Sequence, residues 1–234
     1  MKVLLSWSSG KDSAWALQCL HRRDDVEVAG LLTTVNEVYD RVAMHAVRRS
    51  LLIAQAEAVG VPLWSVSIPS PCSNEAYESA MTKAMIEARE AGIAAVAFGD
   101  LYLEDIRDYR EDKMKSTGID AIFPVWGLPT PQLAREMISS GLKAHVTCVD
   151  PAQIDPELVG RRFDEDFLAD LPESADPCGE NGEFHTFVHD GPMMRYPLDV
   201  VSGERIERDG FMFSDLRLKE PADAQIDEDI YPKG

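Results

Sequence analysis

The chain has 234 residues and a mass of 26.0 kDa, with 45% hydrophobic and 27% charged residues. That is enough to bury a core without disulfide or metal staples. Lys and Arg number 23 against 41 Asp and Glu, a net charge of −18 that argues against non-specific binding to nucleic-acid backbones or anionic lipid. Cys19, Cys72, Cys148 and Cys178 lie far apart, without C-x-x-C or zinc-ribbon spacing, as expected of free thiols in a reducing cytoplasm. No apolar run approaches membrane-spanning length, and the N-terminus is too short in apolar residues for a signal-peptide core.

Strand-like and helix-like segments alternate over the first two thirds. Val3 to Trp7 reads as a buried strand, followed by a small-residue loop and a helix from about Ser13 to Arg23. A second apolar run covers Val26 to Val35, and Met44, Val47, Leu51, Ala54 and Ala58 recur at helical spacing up to Val59. Leu63 to Ile68 is a third strand, and a helix capped by Ser73 or Asn74 stops at Gly92. Ile93 to Phe98 is a fourth strand, a charged helix runs from about Tyr102 to Ser116, and Ala121 to Phe123 begins a fifth strand. Thr130 is placed to cap a helix that has Pro131 at its first position and Gly141 at its end. Leu142 to Val149 is strand-like.

Such alternation implies a parallel sheet covered on both faces. Near Asp150 the character changes: residues 150–190 hold twelve acids and two bases. Beyond them, Ser202-Gly203 and Asp209-Gly210 separate Leu198–Val201, Arg205–Arg208 and Phe211–Leu218, a pattern of antiparallel hairpins. Glu220 to Gly234 reads as a mobile acidic tail.

Three segments carry candidate chemistry. Ser8-Ser9-Gly10-Lys11-Asp12-Ser13 lies between the first strand and first helix, at the carboxyl edge of a parallel sheet where ligands bind. Small residues let successive N–H groups converge, and the helix N-terminus adds partial positive charge. The segment matches neither the Walker-type loop nor the dinucleotide fingerprint. A tight turn capped by Asp12 or Ser13 accounts for it as well as a phosphate cradle does. The block Gly99 to Glu111 follows the fourth strand; Asp100, Glu104 and Asp105 suit Mg²⁺, while Arg107 and Arg110 suit phosphate or carboxylate. By themselves these residues read better as a solvated helix laced with Asp–Arg pairs. Glu180, Asn181 and Glu183 lie among glycines that permit close approach to a ligand; a glycine-rich turn before a strand is the plainer reading. His185 and His189 are four apart without further ligands, which speaks against a metal site.

The opening Leu5-Ser6-Trp7-Ser8-Ser9-Gly10-Lys11-Asp12-Ser13-Ala14 resembles the S-G-G-x-D-S loop of the N-type ATP pyrophosphatases. Within that superfamily the chain is most similar to the diphthine–ammonia ligase family. Met44-His45-Ala46-Val47-Arg48 resembles its M-H-G-x-R stretch, and Gly99 to Glu111 its G-D-I-x-x-E-D-x-R-x-Y-x-E block. Cys178-Gly179-Glu180-Asn181-Gly182-Glu183-Phe184-His185-Thr186 resembles C-G-E-x-G-E-Y-x-T, the most specific of the four. One departure stands out: Ser9 occupies the position of the first glycine, where a positive φ would strain serine by roughly 1 kcal/mol.

The resemblance implies a Rossmann-like α/β sheet of the PP-loop (HUP) type over residues 1–130, then a smaller α+β substrate domain over 131–219. It implies ATP and Mg²⁺ as cofactors, and ammonia and a carboxylate-bearing acceptor as partners, the acceptor being diphthine on the translocation elongation factor. Nucleotide-holding residues would be Ser8, Ser9, Gly10, Lys11, Asp12, Ser13, His45, Arg48 and Gly99. Catalytic ones would be Glu180, Glu183, Asp100, Glu104 and Arg107, with Glu180 and Glu183 serving the acceptor; Asp12, Asp100 and Asp105 would hold the metal. The expected reaction is amide formation through an acyl adenylate, releasing pyrophosphate and then AMP. A tRNA-thiolating PP-loop enzyme and a non-catalytic ATP or AMP sensor are the alternatives; the first would show a cysteine pair and a basic surface. A homo-oligomer is compatible with the sequence.

Overall fold

The computed structural model describes residues 1–36, 41–42, 47–69 and 71–219. In chain order the elements are β1 (Lys2–Ser6), α1 (Lys11–His21), β2 (Glu27–Asn36), β3 (Arg41–Val42), α2 (Arg49–Val59), β4 (Leu63–Ile68), α3 (Asn74–Glu90), β5 (Ala95–Ala97), α4 (Glu104–Lys115) and β6 (Asp120–Ile122). There follow α5 (Thr130–Ser139), β7 (Lys143–Val149), α6 (Glu165–Asp170), β8 (Phe184–Asp190), β9 (Val200–Arg208) and β10 (Phe211–Leu218).

β1 pairs in parallel with β2 and β5, β2 with β4, and β5 with β6, giving the parallel order β4-β2-β1-β5-β6; the short β3 runs antiparallel to the end of β2. This is the expected Rossmann-like arrangement. Parallel strands need crossover helices, so both faces of the sheet are covered. On one face Leu4, Leu32 and Val96 pack with Met85 and Ala88 of α3 and Met114 of α4. On the other, Leu5, Leu31 and Ala97 pack with Trp15 and Leu17 of α1 and Leu51 and Leu52 of α2. That second core continues without a break into Val146, Phe184 and Phe187 of the second sheet, which is antiparallel in the order β8-β7-β10-β9.

Three local readings need correction. The helix expected from Met44 begins at Arg49; Met44 itself lies outside the described residues. Ser73 caps α3 as expected, its hydroxyl accepting from Ala76 N at 3.2 Å. Thr130 does not cap α5: Pro129 holds that position, and the Thr130 hydroxyl donates instead to Asp176 Oδ2 at 2.5 Å. Ser202-Gly203 is not a turn but part of the continuous strand β9, beside a register shift opposite Ser214 to Leu216. Asp209-Gly210 is the hairpin turn, with φ of 54° and 83°, as a two-residue loop of primed type requires. The expected tail, 220–234, lies outside the described residues.

Candidate active site

β1 is followed in sequence by strands on one side of it, while β5 and β6 lie on the other, so the sheet changes direction between β1 and β5. A crevice opens at such a point. Both motif segments emerge there: residues 8–13 after β1, and Gly99-Asp100 after β5. They touch closely, because a Cβ on Gly99 would lie 3.0 Å from Asp12 C and Ser13 N.

The loop is built chiefly from backbone. Ser9 has φ of 69° and is fully buried, so the strain anticipated from the sequence is present. What holds it is also visible. Its carbonyl accepts from Val188 N at 3.0 Å and from Gln55 Nε2 at 3.0 Å, and its hydroxyl donates to the Ser8 carbonyl. Gln55, wholly buried on α2, also donates to Val188 O at 2.6 Å and accepts from Trp7 Nε1 at 2.8 Å. One amide thus ties β1, the loop and β8 together. The sequence reading missed it; its signal is a glutamine on the apolar face that carries Leu51, Leu52, Ala56 and Ala58.

Gly10 is the N-cap of α1 and no side chain caps the helix, so the Asp12 or Ser13 cap considered from sequence is absent. Lys11 N donates to Thr186 Oγ1 on β8 at 3.0 Å. The Lys11 side chain is 1% exposed, its ammonium donating to the Cys178 carbonyl and, at 2.9 Å, to Asp12 Oδ2, with the rings of Phe163 and Phe184 at 5.6 and 5.1 Å. Burial opposes its charge, but Asp12, Cys178 and Glu180 outweigh that and keep it protonated. Lys11 is therefore a bolt between the two sheets. Ser8 and Ser13 hydroxyls lie 3.1 Å apart at the cavity surface. Burial pushes the carboxyls of Asp12 and Asp100 upward, against the pull of Lys11 and Arg110 respectively. Asp12 Oδ1 accepts no hydrogen bond, and Asp100 Oδ2 has only an ion pair with Arg110 Nε at 3.5 Å.

The segment 176–186 is held by side chains. Glu183, 1% exposed, accepts from Asp176 N at 2.7 Å, Asn181 N at 2.9 Å and Asn181 Nδ2 at 3.0 Å. Asp176 in turn accepts from Cys178 N at 2.8 Å and from Thr130. Glu180 accepts from Leu101 N at 2.7 Å and lines the cavity. Its carboxyl is pushed up to about 7, first by burial and then by Asp12 and Asp100, against the Leu101 hydrogen bond. Burial raises the Cys178 thiol far above its usual range, and its sulfur donates to Thr130 O at 3.5 Å. His185, on the cavity wall, is brought down to about 4 by burial and by Lys11. His189 instead stacks on His145 at 5.0 Å.

These segments enclose a cavity of about 1180 Å³ that runs from the loop down between α3 and α4. That exceeds the roughly 300–1,000 Å³ of ordinary ligand pockets, leaving room for two reactants. Ser8, Gly10, Lys11, Asp12, Ser13, Gly99, Asp100 and Glu180 reach it. Glu104 and Asp105 are exposed on the first turn of α4, away from its walls. Arg107 pairs with Glu111 at 2.8 Å and lies over Phe123 and Trp126; Arg110, not Arg107, lines the cavity, as does Arg89 of α3. Arg48 forms a bidentate pair with Asp215 of β10, at 3.0 and 2.6 Å. His45 lies outside the described residues. Among the described residues no helix is long and apolar enough to cross a membrane.

Family models for the N-terminal and C-terminal domains of diphthamide synthase match residues 1–121 and 129–217. The chain belongs to the diphthamide synthase family. Diphthine–ammonia ligase of Homo sapiens is 26% identical over 230 positions, covering 87% of this chain and 84% of the relative. The Bos taurus and Mus musculus proteins of that name are 23% and 24% identical, covering 99% and 98% of this chain and 95% and 94% of their own lengths. As a member of this family the chain is a ligase that forms a C–N bond.

Proposed function

We propose that this ligase uses ATP to amidate a carboxylate with ammonia, the acceptor being diphthine on the translocation elongation factor. The observation that carries the reading is the meeting of the 8–13 loop, Asp100 and Glu180 on one cavity. Residues 1–130 would hold the nucleotide and 131–219 the acceptor. The uncapped start of α1 and the hydroxyls of Ser8 and Ser13 suit the departing pyrophosphate, with α-phosphorus toward the acceptor. Asp12, whose Oδ1 accepts no hydrogen bond, and Asp100, whose Oδ2 has only its ion pair with Arg110, would hold Mg²⁺, which favours a few carboxylates plus phosphate oxygens. When bound, the metal would neutralise phosphate charge.

The acceptor carboxylate attacks the α-phosphorus and displaces pyrophosphate. Ammonia then attacks the acyl carbon, AMP leaves, and Glu180 takes the proton shed by nitrogen. A carboxyl poised near neutrality fits that role. Glu183 acts through the backbone it holds, as a positioning residue. Incubation with ATP, Mg²⁺, the diphthine-bearing factor and nitrogen-15 ammonium should place the label in the acceptor amide by mass spectrometry. A factor left unlabelled, while ATP binds normally, would contradict the reading.

A further inference from the structure

β9 is the outer strand of the second sheet: it pairs with β10 on one side and with no other strand among the described residues. Glu204 to Arg208 are all exposed, and Ile206 at their centre is 51% exposed. Phe213 of β10 lies opposite Ile206 in register, and Phe211, 36% exposed, packs near it with ring centroids at 6.4 Å. An exposed isoleucine on an open edge is an invitation to another strand.

The residues around it say which strand. The run is Glu204-Arg205-Ile206-Glu207-Arg208. In an antiparallel pair of two such strands centred on Ile206, each isoleucine faces its counterpart. Arg205 then faces Glu207 of the second copy, and Glu204 faces Arg208 of the second copy; two-fold symmetry repeats both pairs. Directly opposed unlike charges stabilise a sheet and like charges destabilise it. A slip of one residue either way would set Glu204 against Glu207, or Arg205 against Arg208. A slip of two would set Arg205 or Glu207 against itself. Among these registers one alone satisfies the charges, and it is the one that sets isoleucine against isoleucine. The segment is also neutral within a chain of net charge −18, so it offers two copies a place to meet without repulsion.

We propose that β9 is a homodimer interface, where two copies join their four-stranded sheets into one of eight across a two-fold axis at Ile206. The Arg205–Glu157 pair within each chain, at 2.8 Å, flanks the new contacts.

Sedimentation of the whole chain across a concentration series tests this. The wild type should approach twice 26.0 kDa. Arg205→Glu, which sets like charges opposite at two places, should weaken association by roughly tenfold or more. Adding Glu207→Arg restores unlike pairs in reversed sense and should restore the dimer, while Glu157→Gln should leave it intact. Circular dichroism checks that each variant is folded. A wild type that stays monomeric would overturn the proposal. So would unchanged association of Arg205→Glu, or a folded double variant no tighter than the single one.

Discussion

Two segments meet at the cavity, and they are held in opposite ways. The loop at 8–13 is fixed by its backbone: a carbonyl with two donors, an amide on Thr186, and a serine forced into left-handed φ. The segment at 176–186 is fixed by carboxylates that collect backbone amides, Glu183 and Asp176 above all. A backbone-built site tolerates changes of side chain so long as φ and ψ survive. A carboxylate-built site fails when one acid is removed, because several backbone amides lose their common acceptor at once. Lys11 apart, whose buried ammonium bolts the loop to Cys178, substitutions should therefore hurt far more on the second side than on the first.

The largest effect is expected at Glu183. Its replacement by alanine takes away the buried carboxylate that accepts from the half-buried amide of Asp176 and from the amide of Asn181, a loss of about 2 kcal/mol in urea unfolding, with activity abolished. If Glu183→Ala unfolds like the wild type, the segment is not held by that carboxylate.

Glu180, three residues earlier, should separate chemistry from stability. Glu180→Gln should slow amide formation by about 100-fold with the fold intact. At constant free NH₃, the wild-type rate should fall as pH drops and the raised carboxyl becomes protonated, and the glutamine variant should lose that inflection. Stability runs the other way. The fold raises this carboxyl, so its ionisation weakens the native state as pH climbs from the usual carboxylate range through about 7. Above neutrality Glu180→Gln should therefore melt no lower than the wild type. A variant that retained the inflection would place the base elsewhere.

The smallest effect belongs to Ser9. Glycine there relieves about 1 kcal/mol of strain but adds a similar freedom to the unfolded chain. Ser9→Gly should hence shift stability by less than about 0.5 kcal/mol and leave ATP affinity alone. A large change in calorimetric affinity would mean that the serine hydroxyl, not the backbone, matters to the nucleotide.

The contrast also explains what the sequence disclosed. Strand–loop–helix order, the special φ at Ser9 and the turn at Asp209-Gly210 are local, and they read correctly. The burial of Lys11 does not: only the docking of Cys178, Phe163 and Phe184 turns a loop cation into a bolt. Arg107 and Arg110 are alike in sequence, and the helix register alone decides that Arg110 faces the cavity while Arg107 lies over Phe123. Arg48 is claimed by Asp215, more than 160 residues away. Thr130 has the look of a cap until Asp176 takes its hydroxyl. Ser202-Gly203 resembles a turn because a small pair also fits beside the carboxylate of Asp215, which a Cβ on Gly203 would approach to 3.3 Å.

In the proposed chemistry the loop and Glu180 form one site for activating a carboxylate through the α-phosphorus. The most direct measurement is chromatography of the spent nucleotide during turnover with the acceptor and ammonium present. AMP and pyrophosphate, formed one for one with the amide, are the products expected. ADP and inorganic phosphate as the coupled products would contradict it.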